Sequence, residues 1–148
     1  MIWKGIRTLF YLFFLLLSIQ LLFAAPSPNV SQRIAFVNNA LSYLETPYRY
    51  GGCSATGMDC SGFVYRTGVD VLELQMPRRS DALAEYSKRI TDEEIQPGDL
   101  LFFNTVGGIS HVGIYIGAGK FIHSASAGPR TGVIISSIQE SYWKKTYR

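Results

Sequence analysis

Apolar and polar positions change their spacing twice along this chain, dividing it into three parts. Leu9 to Phe23 is almost wholly apolar, interrupted only by Ser18 and Gln20. From Ser31 to Leu44 the apolar residues Ile34, Val37, Leu41 and Leu44 recur at spacings of three, four and three, which marks one face of a helix. Ser31 is its expected N-cap. Glu45-Thr46-Pro47 ends it, because proline cannot continue a helix. A glycine-rich loop, Tyr48 to Gly57, then leads through Asp59 and Cys60 into an apolar run that predicts a second helix to about Val71. Ser80 is placed to cap a short third helix, Asp81 to about Lys88, with Leu83 and Tyr86 facing inward. Asp92-Glu93-Glu94 reads as a solvated acidic turn.

The second half switches to strand spacing. Pro97-Gly98-Asp99 is turn chemistry, and Leu100-Leu101-Phe102-Phe103 predicts a buried strand. His111 to Ile116 alternates, Gly117-Ala118-Gly119 turns the chain back into Lys120 to Ala125, and Val133-Ile134-Ile135 adds a further strand. Helices first and strands later predict an α+β fold, with N-terminal helices packed on a mainly antiparallel sheet. Because side chains alternate faces, the hairpin register decides whether His111 and His123 share a site. A two-residue Ala118-Gly119 turn pairs Ile114 with His123 and puts the histidines on opposite faces. A three-residue Gly117-Ala118-Gly119 loop pairs Gly113 with His123 and makes the histidines diagonal neighbours, roughly 7 Å apart at the backbone. An odd loop or a bulge is therefore expected here.

The first segment carries Lys4 and Arg7, then the apolar run, then Ala24-Ala25 before Pro26. That order predicts a secretory signal peptide over residues 1–25, with an uncleaved membrane anchor as the alternative. Either places residues 26–148 outside the cytoplasm, as one domain large enough to bury a core. The formal charge is +3; removing Lys4 and Arg7 reduces 14 basic residues to 12, against 11 acidic ones. No basic stripe with interleaved aromatics is present, which argues against nucleic acid as a partner. Lys144, Lys145 and Arg148 read as a solvated tail. A monomer is the default expectation.

The candidate chemistry lies where the patterns meet. Cys60 sits at the predicted start of a helix, where unpaired N–H groups and the positive dipole end favour a thiolate. The chain has two histidines, His111 and His123, both in predicted strands. One cysteine placed to ionise plus two histidines is the minimum set for a nucleophile, a base and an orienting group. Cys53 complicates this reading. Six residues separate the cysteines and eleven separate the histidines, unlike the close-spaced pairs of zinc sites. A Cys53–Cys60 disulfide would silence the nucleophile in an oxidising compartment. A free loop thiol is the expected state of Cys53. Arg78 and Arg79 read as surface charges, with a place along the cleft as the alternative.

Four motifs in order, Asp59-Cys60-Ser61-Gly62-Phe63-Val64, Pro97-Gly98-Asp99-Leu100, His111-Val112-Gly113-Ile114-Tyr115-Ile116-Gly117 and Phe121-Ile122-His123-Ser124, resemble the NlpC family of cell-wall cysteine endopeptidases. The likeness runs from about Tyr43 to Arg148. Gly132 to Ser137 with Tyr142-Trp143-Lys144-Lys145 is most similar to the family members that open murein crosslinks. The resemblance implies a papain-like α+β core, peptidoglycan stem peptides as substrate, a periplasmic or envelope location and no cofactor or metal. It makes Cys60 the nucleophile, His111 the general base and His123 the residue that orients it. It aligns Tyr48 with a tyrosine beside the thiol, able to help hold an oxyanion, with core packing as the plainer reading. Asp59 and Ser61 are implied either to bind a substrate amine or to shape the loop. The bond cut stays open between D-alanine–diaminopimelate and D-glutamate–diaminopimelate. A wall-binding module without activity and an acyltransferase on the same scaffold are the other classes.

Overall fold

The computed structural model describes residues 29–148; the leader expected over residues 1–25 lies outside them. Helix α1 spans Val30–Ser42. Its N-cap is Asn29, one of the two corrections to this element. The Asn29 side chain accepts the Gln32 N–H at 2.9 Å, and the Gln32 side chain accepts the Asn29 N–H at 2.9 Å. This reciprocal pair satisfies two orphan donors, which Ser31 as cap would not have achieved with the residues that follow it. The buried face is also rotated from the expected one. Phe36 and Ala40 are buried, with Leu41 and Tyr43 packed beside them, whereas Ile34 and Leu44 are exposed. Burying the Phe36 ring removes more apolar area from water than Ile34 would.

A two-stranded ribbon follows, β1 (Cys53–Ser54) and β2 (Gly57–Met58). Helix α2 covers Cys60–Leu72 and ends at Glu73, which takes a left-handed conformation. The short helix α3 is Ser80–Tyr86. Here too the cap differs: Arg79 occupies the N-cap position without a side-chain bond, and Ser80 lies inside the helix. Leu83 is buried as expected, but Tyr86 is 59% exposed. A two-turn helix presents one inward position, and Leu83 fills it. Strands β3 (Leu100–Phe103), β4 (His111–Gly117), β5 (Lys120–Ala125) and β6 (Gly132–Ser137) form one antiparallel sheet in that order. A last short helix, α4, covers Ser141–Thr146. The α+β class read from the sequence holds.

Alternation along the strands divides the core in two. Val112, Ile114, Ile122 and Val133 face α1 and α2, packing with Phe36, Ala40, Met58, Phe63, Val64 and Leu83. Leu101, Phe103 and Phe121 face the other way and are covered by Trp143 and Tyr147 of the C-terminal segment. That segment is tied to the edge strand through Arg148 N–H donating to the Phe102 carbonyl at 3.0 Å and Asn104 N–H donating to the Thr146 carbonyl at 2.8 Å.

The β4–β5 hairpin contains the expected irregularity. Gly117 pairs with Lys120 across Ala118-Gly119, but a bulge between Tyr115 and Gly117 shifts the register, so that Tyr115 faces Phe121 and Ile114 faces Ile122. One unpaired residue in the bulged strand restores the parity that a two-residue turn would have broken. Continuing that register sets Gly113 opposite His123.

Candidate active site

Asp59 fixes the start of α2. Its extended backbone makes it the N-cap, and Oδ1 accepts the Gly62 N–H at 2.6 Å. Its Oδ2 accepts the Gly51 N–H at 2.9 Å, so one carboxylate ties the glycine-rich loop to the helix. The loop backbone presses directly on the first turn: a Cβ added at Gly62 would lie 2.0 Å from the Gly52 carbonyl oxygen. Ser61 is buried and donates to the Arg78 carbonyl at 2.7 Å. Arg78 reaches back to Asp59 Oδ1 at 3.4 Å and to the Gly51 and Gly52 carbonyls at 3.3 and 3.4 Å. Asp59 and Ser61 thus build the loop that carries the thiol. Arg78, read from the sequence as a surface charge, is part of the same network. Only the fold brings it across from residue 78, so no local signal marked it.

The Cys60 sulfur lies at the first residue of α2, with the Val112 and Ser61 amides directed at it. These donors pull the thiol pKa down, as expected at a helix start. Burial pushes it up more strongly, and the nearby Asp59 charge adds to that, so the thiol is held above its ordinary value. The resting group is therefore a neutral thiol, a correction to the expectation that the helix terminus alone would favour a thiolate. Cys53, on β1, is likewise a free thiol.

His111 begins β4, one residue from the amide that faces the sulfur. Its Nε2 lies 2.9 Å from His123 Nδ1, so the register does bring both rings to one face. His111 Nδ1 has no hydrogen-bond partner among the described residues and is the nitrogen left to exchange a proton. His123 is fully buried, and its Nε2 lies 3.1 Å from Ser136 Oγ. Trp143 stacks on His111, with ring centroids 5.2 Å apart, and meets His123 edge-on at 4.8 Å. Phe121 stacks on the His123 ring at 4.7 Å. Enclosed by aromatics, both imidazoles resist charging: burial pushes His111 down to about 4, and burial with the His111 charge pushes His123 down to about 2. Ser136 and Trp143 carried no chemical signal in the sequence, because an isolated strand serine and a tail tryptophan gain meaning only once strands pair.

A cleft of about 530 Å³ opens beside the thiol. Tyr48, Asp59, Cys60 and Ser61 line it, with Arg78, Tyr50 and Ile109 around them. Tyr48 is joined to Met58 by a parallel bridge, and burial raises the pKa of its hydroxyl above the ordinary tyrosine value, so it stays protonated. Among the described residues no cluster of three or more histidine, cysteine or acidic side chains is arranged to hold a metal. No described helix is long and apolar enough to cross a membrane.

Comparison with known proteins gives the following matches. The profile of the NlpC/P60 family matches residues 45–148. A protein of Haemophilus influenzae named probable endopeptidase is 45% identical over 104 residues, covering 69% of this chain and 63% of that protein. Murein DD-endopeptidase MepS/Murein LD-carboxypeptidase of Escherichia coli K12 is 38% identical over 119 residues, covering 80% of this chain and 62% of that protein. The chain therefore spans under two thirds of the length of these two relatives. Among solved structures, the NlpC/p60 domain of peptidoglycan hydrolase SagA superposes with a TM-score of 0.66 at 32% identity, over 74% of this chain and 92% of that domain.

Proposed function

The chain belongs to the NlpC/P60 family, and from that membership and the site geometry we propose that it is an exported cysteine endopeptidase that hydrolyses peptidoglycan stem peptides. Residues 26–148 form the catalytic domain, and residues 1–25 direct export or anchor the domain at the inner membrane. The observation that carries the reading is the buried His111–His123 pair, bonded at 2.9 Å, on the strand whose Val112 amide faces the helix-terminal Cys60 sulfur at the cleft.

The neutral resting pair defines the first step. As Cys60 Sγ attacks the amide carbonyl, His111 Nδ1 takes the thiol proton, so charge appears only as the C–S bond forms. His123 Nδ1 accepts from His111 Nε2–H and steadies the imidazolium. The Cys60 N–H and the Tyr48 hydroxyl are the donors for the tetrahedral oxyanion. The imidazolium then returns its proton to the departing amine, and the C–N bond breaks to leave a thioester. Water attacks that thioester, His111 removes its proton, and the thiol and a carboxylate are released. No metal or cofactor enters. Arg78 and Asp59 supply charges of both signs at the cleft, suited to a peptide that carries free amines and carboxylates.

Similarity to a murein DD-endopeptidase favours the D-alanine–diaminopimelate crosslink as the bond cut. A D-glutamate–diaminopimelate cut is the second reading; a Bacillus subtilis protein named gamma-DL-glutamyl hydrolase, 35% identical over 114 residues, is likewise named for a glutamyl bond. Mass spectrometry of defined crosslinked and uncrosslinked muropeptides, with the protein and its Cys60→Ala variant, separates the two. Conversion of crosslinked dimers to intact monomers, lost in the variant, is expected. Shortened stems would give the second reading. No product from either protein, with reductant present, would overturn the endopeptidase reading in favour of a wall-binding module or an acyltransferase.

A further inference from the structure

The two histidines do not end the hydrogen-bonded line. His111, His123 and Ser136 lie on one face of the sheet, on the successive strands β4, β5 and β6. His123 faces Ile134 across the β5–β6 ladder, and Ser136 is two residues further along β6, hence on the same side. The bonds are 2.9 Å from His111 to His123 and 3.1 Å from His123 to Ser136. Phe121 and Trp143 pack on the His123 ring, and the ring has no exposed surface.

A line of two neutral imidazoles has two proton arrangements. In the outward one, His111 Nε2–H donates to His123 Nδ1, His123 Nε2–H donates to Ser136 Oγ, and His111 Nδ1 is bare. In the inward one, Ser136 Oγ–H donates to His123 Nε2, His123 Nδ1–H donates to His111 Nε2, and His111 Nδ1 carries the proton. Only the outward arrangement lets His111 accept a proton from the thiol. It leaves His123 Nε2–H as a donor that must find an acceptor in an aromatic enclosure, and Ser136 Oγ is the acceptor available. Buried N–H groups without a partner are rarer in folded proteins than buried acceptors without one.

We propose that Ser136 is a positioning residue that selects the base-competent tautomer of His111 by accepting the His123 Nε2 proton. The outward line also points its dipoles so as to favour positive charge on His111 as it takes the thiol proton, so the serine acts on the charged state more than on the resting one. The inference rests on the thiol chemistry proposed above, but not on which peptide is cut.

The chain's two histidines make the test direct. In the full-length chain, purified in detergent without a histidine tag and labelled with ¹⁵N-histidine, two-bond ¹⁵N–¹H correlations at neutral pH read the tautomer of each ring. Both rings should be protonated on Nε2. In Ser136→Ala the His111 signal should move towards the Nδ1–H form. Alkylation of Cys60 by iodoacetamide, resolved from Cys53 by peptide mass spectrometry, should slow by about tenfold, the scale of one buried hydrogen bond. Ser136→Thr, which keeps the hydroxyl, should retain both readouts. Should Ser136→Ala fail to fold, Ser136→Cys, with a weaker acceptor of similar size, must show the same shift in smaller degree. Nδ1–H rings in the parent protein, or unchanged spectra and rates in the folded variants, would overturn the proposal. The expected shifts without muropeptide hydrolysis by the parent would keep the tautomer role and sink the peptidoglycan reading. Hydrolysis by the parent with unaltered variants would do the reverse.

Discussion

Lowering the pH from 8 to 5 should cost this domain much of its stability, and the cost should come from His111 and His123. Both are buried as neutral imidazoles, His111 pushed from 6.5 down to about 4 and His123 to about 2. A base whose folded pKa is depressed binds fewer protons in the folded than in the unfolded chain, so stability is complete above the unfolded pKa and falls as pH drops below it. At pH 5 the unfolded chain has protonated both rings and the folded one neither. Each ring then contributes about 1.5 pH units, or roughly 2 kcal/mol, and the pair about 4 kcal/mol. The steepest slope is about 2.7 kcal/mol per pH unit, two protons' worth. Against a typical total of about 5–15 kcal/mol, that is a large share. Asp81, held at about 2 by Arg79, titrates below this window, and the Cys60 thiol titrates above it. The assay is urea unfolding followed by tryptophan fluorescence, for which Trp143 lies against both rings. The midpoint should fall by about 1–4 M urea between pH 8 and pH 5. Replacing His123 with Asn should remove about half of the fall, since one titrating ring then remains. A midpoint that moves by less than the equivalent of about 1 kcal/mol would refute the claim that both rings are buried uncharged.

The other predictions concern single contacts. Gly62→Ala drives a methyl into the Gly52 carbonyl at 2.0 Å and should destabilise by about 1–3 kcal/mol through forced backbone movement; an unaltered melting temperature would show that the loop is not pressed on the helix. Asp59→Ala removes the α2 cap and the Gly51 tether and should cost about 1–2 kcal/mol, with faster proteolysis in the 49–58 loop than elsewhere as its signature. Tyr48→Phe should lower kcat by about 10- to 100-fold with little change in KM if the hydroxyl holds the oxyanion, whereas a kcat equal to that of the parent leaves Tyr48 as packing alone. Trp143→Ala should admit water to the imidazoles and raise the His111 pKa from about 4 towards its ordinary value, read by NMR titration of two histidine signals; a pKa that stays put would mean that the tail does not keep the pair dry.

Much of this protein was legible along the chain. The switch from helical to alternating spacing gave the α+β class, and four short motifs in order gave the family. The parity of the two histidines requires an odd hairpin loop or a bulge, and the bulge is there, because strand alternation leaves no other way for two histidines twelve positions apart to share a face. Local rules failed where two options scored alike. Asn29 rather than Ser31 caps α1 because only Asn29 has Gln32 three residues on. Phe36 rather than Ile34 faces the core because the packing partner, not the spacing, selects the face. Tertiary structure alone decided the electrostatics. The sequence placed Cys60 at a helix start, where its thiol would be expected to ionise. Burial outweighs the helix donors and keeps it neutral. Desolvation depends on everything that surrounds a group, and Trp143, Phe121, Ser136 and Arg78 reach the site from four separate stretches of chain. Sequence supplied the reactive atoms and their order; the fold decided how dry they are, and so which of them carries a proton.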